Sequence, residues 1–147
     1  MKRQGGQVLA FFAVALPAVL LPVAAYAVDA AVVSGQAAQL QSAAAQAAEV
    51  AAQQVDVAML RSTGALQLDR RAAQLAASQT LVAEMPDATV DEVAVGGVDV
   101  TVQASERVAL PVPLLTRNLV LHARAVARLI PGYDRPSSLL PLPTNSF

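Results

Sequence analysis

The sequence predicts an α+β protein: one long N-terminal helix, crossing a membrane and extended by an alanine-rich segment, then a second helix and a small antiparallel β-meander. Three observations predict it. An uncharged apolar stretch occupies residues 7–28, an alanine- and glutamine-rich stretch follows without proline to Leu60, and beyond Thr89 the apolar period drops from that of a helix to that of a strand. The chain of 147 residues leaves room for one modest domain outside the apolar stretch.

Residues 7–28, QVLAFFAVALPAVLLPVAAYAV, would span about 33 Å as a helix, enough for the hydrocarbon core of a bilayer. Residues 1–6 form a leader with Lys2 and Arg3, and Asp29 is the first charge after the stretch. Two readings compete. In one the stretch is an uncleaved anchor, its Pro17 and Pro22 tolerated because neighbouring groups satisfy the freed carbonyls. In the other it is a secretory signal, with Ala25-Tyr26-Ala27 as an A-x-A site and Pro22 as the helix breaker upstream. Cleavage after Ala27 would release a secreted or periplasmic binding module. In either case Lys2 and Arg3 hold the N-terminus in the cytoplasm and send the rest outward.

The apolar fraction of 55% is inflated by alanine, and aromatics make up only 3%, so close helix packing is favoured over a large core. A net charge of −1 gives no electrostatic reason for a nucleic-acid partner. The absence of cysteine excludes disulfides and thiol chemistry and leaves the compartment open.

Residues 29–60 read as a continuation of the same rod. A seam of Ala37, Leu40, Ala44, Ala47, Ala51, Gln54 and Ala58 would let another helix approach closely; the alternative is a solvated low-complexity helix. Arg61-Ser62-Thr63-Gly64 should break the rod. A second helix is predicted over residues 65–84, with Ala65, Leu68, Ala72, Leu75 and Val82 on its inner face and Asp69, Arg70 and Arg71 on the other. Met85-Pro86 ends it.

Residues 89–130 read as the sheet. Val93 and Val95, then Val98, Val100 and Val102, alternate with polar or small residues around Gly96-Gly97, whose positive dihedrals would make a tight hairpin. Ser105-Glu106-Arg107 should bend or bulge the strand before residues 108–112, and Pro111 and Pro113 confine this end to an edge. After a turn over residues 114–118, a strand is predicted over 119–129. Leu119, Leu121, Ala123, Ala125, Ala127 and Leu129 would face one side of it, with helix as the rival reading. The proline-rich residues 131–147 read as an extended or disordered tail.

Arg3, Gly6-Gln7, Leu16-Pro17, Ala27-Val28-Asp29 and the run Gln39-Leu40-Gln41-Ser42-Ala43-Ala44 follow one another in an order and spacing that resembles the Tad (tight adherence, Flp-type) pilus proteins of the TadE/TadG kind. The resemblance covers residues 3–55; the strand-forming half is similar only in general pattern. It implies a bacterial pseudopilin-like protein in the cytoplasmic membrane, with the membrane and other pilin or pilus-assembly subunits as partners. Prepilin processing in related pilins implies a cut between Gly6 and Gln7. That cut would put Phe11 where those pilins carry glutamate, which favours the TadG-like side. Candidate subunit contacts are then Asp29, Leu40, Ala44 and Ala47.

Nothing supplies an acid–base pair, so no enzyme, cofactor or small-molecule substrate is expected. His122 is the one histidine and has no ligand partners spaced around it. Gly96-Gly97 precedes no helix start and is no phosphate loop. Asp87, Asp91, Glu92 and Asp99 fit no calcium loop and read as solvated charges. Asp29 reads as an interfacial residue or as a charge contact with a neighbour.

Overall fold

Strong helix formers carry a single helix, α1 (Gln4–Ala52), of 49 residues, about 73 Å long at 1.5 Å per residue. It belongs to a computed structural model that describes residues 4–111 and 118–130. Residues 1–3 of the leader, residues 112–117 with Pro113 and most of the expected turn, and the tail 131–147 lie outside the described residues.

The rod ends at Ala52, not near Leu60. No proline or glycine stops it there. A clasp does: Val55 forms an antiparallel bridge with Leu68, the Asp56 N–H donates to the Gln67 carbonyl (2.9 Å), and the Asp69 N–H donates to that of Gln54 (2.8 Å). The clasp encloses a short helix, α2 (Val57–Thr63), whose N-cap Asp56 accepts from the Met59 N–H at 2.9 Å. Gly64 is a breaker as expected, but of α2. It adopts φ 71°, and its N–H closes onto the Leu60 carbonyl. Nothing stands within 4 Å of a Cβ built on Gly64, so Gly64→Ala isolates the conformational cost. It is expected to lose about 1 kcal/mol in urea denaturation.

α3 (Arg70–Glu84) starts five residues later than the pattern suggested, because the Asp69 carboxylate caps it by accepting from the N–H groups of Arg71 and Ala72, both at 3.0 Å. Its inner face is also a correction. Ala73, Ala77 and Leu81 are buried, whereas Leu75 and Val82 are exposed. The reason is the packing of α3 on both α1 and the first strand, β1 (Ala88–Val95), which the four-residue spacing of Ala73, Ala77 and Leu81 meets on one side of the helix. Leu68 is buried, but in the clasp. Asp69, Arg70 and Arg71 are exposed, as expected.

Strands β1 (Ala88–Val95), β2 (Asp99–Ala109) and β3 (Asn118–Arg128) form the antiparallel meander in the order β1-β2-β3. β3 is a strand throughout, paired with β2 from Asp99↔Arg128 to Ala109↔Asn118. Ser105-Glu106-Arg107 neither bends nor bulges: β2 pairs with β3 through it without a slip. The bulge is instead in β1, where the register shifts between Val90 and Glu92. Val90 and Val93 both pack on the core. A period of two allows residues three apart to share a face only if one extra residue is inserted, and Asp91 is that residue.

Gly96 and Gly97 also differ from expectation. Among the described residues only Gly64 has positive φ. Gly96 N–H donates to the Asp99 backbone carbonyl across the turn (2.7 Å), and from outside it the Leu68 and Leu129 N–H groups donate to the carbonyls of Gly97 and Val98 at 3.1 and 2.8 Å. α1 packs on β2 and β3, and α3 packs on β1. A glutamine from each helix reaches a strand carbonyl, Gln41 to Arg124 (3.1 Å) and Gln74 to Val93 (3.3 Å).

Candidate functional site

Two surfaces of α1 decide what the molecule can do. Every Leu, Val, Phe and Tyr from Leu9 to Val28 is exposed by 49 to 75%. At 100° per residue these side chains point in all directions around the helix, and none of the span is covered by the rest of the chain. A helix apolar all round belongs inside a protein or inside a bilayer. From Leu9 to Ala52, α1 is the one described helix long and apolar enough to cross a membrane.

The second surface is the alanine face. Leu40, Ala44 and Ala47, named above as candidate subunit contacts, are each 0% exposed. They are covered by α3 and the sheet of the same chain, so this seam has its partner already and offers nothing to a second subunit. The seam is also shorter than the heptad reading had it: Ala37 is exposed and Ala58 lies in α2, exposed. Asp29 is 8% exposed. It precedes Leu40 by 11 and Ala47 by 18 residues, close to whole numbers of turns, so all three lie on the domain side of α1. The processing candidates are all helical: Gly6 and Gln7 lie in the first turn of α1, Ala25 and Ala27 at its middle.

On the outer face of the sheet the acidic residues are separately engaged. Asp99 accepts from Arg128 through two contacts, Nε to Oδ1 at 2.6 Å and Nη2 to Oδ2 at 3.1 Å. That hydrogen bond holds the Asp99 carboxyl below its ordinary range. The pair is open to water and contributes little to stability. Asp91 accepts from the Ser105 hydroxyl (2.7 Å) and lies 3.7 Å from exposed His122 Nδ1; Glu92 accepts from Gln103 (2.9 Å). Among the described residues no three His, Cys, Asp or Glu side chains are placed to hold a metal ion.

Glu106 is the residue that the sequence reading passed over. It occupies an inward position of β2, in line with Val100, Val102, Ala104 and Val108, and is 9% exposed. Its Oε2 is buried with no hydrogen-bond partner. Burial, then the charge of Asp87, raises its pKa. The alternation from Val100 to Val108 carried the signal, since a strict period of two puts Glu106 inside. A pH dependence follows. The folded state holds this proton more tightly than the unfolded state, so stability falls as pH rises from the ordinary glutamate value through the raised one, and the full penalty stands above it. Glu106→Gln is expected to remove that slope and to be the more stable form at neutral pH, read by thermal melts across pH.

Comparison with protein families, with curated proteins and with solved structures finds no match.

Proposed function

We propose that the chain is a minor pilin or pseudopilin-like component of a bacterial Tad (Flp-type) pilus and secretion system. It is anchored in the cytoplasmic membrane by residues 7–28, with the N-terminus inside and the α+β domain outside. One observation carries the reading: α1 passes without interruption from a fully exposed apolar segment into the spine of a folded domain. A cleavable signal has no need to share a helix with the core that follows it, whereas an anchor that positions a domain does.

The action is physical. The apolar segment partitions into the bilayer, and the rigid continuation of the helix sets the domain at a fixed height above it. The alanine face is used within the chain, so subunits meet through the apolar segment and the outer surfaces of the domain. Alkaline carbonate extraction of membranes tests the anchor: the chain is expected to stay in the pellet. Its release into the supernatant would favour the secreted module freed after Ala27 instead.

A further inference from the structure

The two edges of the sheet carry opposite charge. Among the described residues no fourth strand pairs with β1 or β3. β1 carries Asp91 and Glu92 and no base, whereas β3 carries His122, Arg124 and Arg128 and no acid. Glu92 and Arg124 stand at opposite ends of one rung, each paired with Gln103 between them. Ala94 and Val126 end another rung in the same way, through Thr101. Residues directly opposite on neighbouring strands share a face, so all four side chains lie on the outer face, and all four residues are exposed. Glu92 accepts from Gln103 through Oε2, and Arg124 forms no ion pair with another described residue.

The edges run in one direction, since each is antiparallel to β2. That direction is away from the apolar segment: Gly97 in the β1–β2 turn accepts from Leu68, which bridges to Val55 just beyond the end of α1. Copies anchored side by side by the same helix stand at one height. They bring β3 of one against β1 of the next, rung for rung, with Arg124 facing the neighbour's Glu92 and Val126 facing its Ala94. Like edges would instead set arginine against arginine. Gln41 from α1 and Gln74 from α3 already occupy the carbonyls of Arg124 and Val93, so the edges meet through side chains rather than as one continuous ladder.

We propose that the chain associates with further copies of itself in the membrane, the β3 edge of each docking on the β1 edge of the next through Arg124 and Glu92. The shared height rests on the membrane reading above. Because the two edges differ, the contact is heterologous and continues from copy to copy. A single exposed ion pair is weak in water; confinement to a bilayer raises the effective concentration and populates it.

The chain has no cysteine, so cysteines introduced at Ala94 and Val126 report this contact alone. Within one chain those positions are two strand spacings apart, about 10 Å, too far for a disulfide. The full chain carrying A94C and V126C, reconstituted in vesicles and oxidised, is expected to give dimers, trimers and larger species on a non-reducing gel. Chains carrying A94C alone mixed with chains carrying V126C alone should stop at the dimer, and neither should cross-link with itself. Adding E92R or R124E to the double-cysteine chain should lower the yield about fivefold. Both charge reversals in one chain should restore it, which misfolding could not do.

The contact would be overturned by the absence of a ladder, the result if another segment of the chain covers an edge. A ladder indifferent to the single reversals, a double reversal that fails to restore it, or self-cross-linking of V126C as strong as the mixture would overturn it too. Failure of the anchor would register separately, as chain in the carbonate supernatant.

Discussion

Ala47→Leu is expected to destabilise the outer domain by about 3 kcal/mol and to lower its midpoint by roughly 10–15 °C. Ala47 is 0% exposed, and it lies on the face of α1 that meets α3 and the sheet. Three added carbons have nowhere to go unless the helices separate, and separation would open the contacts of Ala73, Ala77 and Leu81 as well. Ala38→Leu is the control. Ala38 is exposed on the same helix, and its change should stay within about 0.5 kcal/mol. If Ala47 were instead a contact between subunits, leucine there would leave the melt of the isolated chain unchanged and alter only assembly. Thermal melts of the two variants separate these cases.

The second large effect concerns insertion. Leu16 and Leu20 lie near the middle of the apolar segment and touch nothing in the domain. A charge at the centre of a membrane helix costs about 3 kcal/mol. The double variant Leu16→Asp with Leu20→Asp therefore disfavours insertion by about 6 kcal/mol, roughly four powers of ten. It is expected to leave the carbonate-resistant fraction while its domain melts at the wild-type temperature. A lowered domain melt would mean that the apolar segment packs on the domain rather than on lipid.

The elements that were legible in the sequence are those whose signal is local. In residues 119–129 every second residue is Leu or Ala, and this inward set of Leu119, Leu121, Ala123, Ala125, Ala127 and Leu129 is the set that the structure covers more than its neighbours. That alternation outweighed the helix propensity of alanine. The apolar segment needed only length and the absence of charge. What failed depended on partners far along the chain. The rod stops at Ala52 because Val55 meets Leu68, and no residue at 53 or 54 announces it.

The face of α3 was misjudged because Leu75 and Val82 were given the core, whereas the buried stripe is the four-residue spacing Ala73, Ala77 and Leu81. Other misses had a signal. Asp56 and Asp69 each precede a run of helix formers as N-caps do, and the spacing of Val90 and Val93 already required a bulge. Of the candidate site, a helix long and apolar enough to cross a membrane was legible. Leu40, Ala44 and Ala47 were correctly seen as a packing seam, but the seam's partner is the chain's own α3 and sheet, which periodicity cannot identify.

The measurement that tests most directly whether one helix both crosses the membrane and carries the domain is the mature N-terminus, read by intact mass on protein from the membrane fraction. A chain beginning at Met1, or at Gln7 after a cut that tolerates Phe11 in the fifth position, is the predicted result, because either keeps residues 7–28 joined to the spine of the domain. A chain beginning at Val28 would contradict it: the apolar stretch would then be a discarded address, and α1 would be a helix of the domain alone.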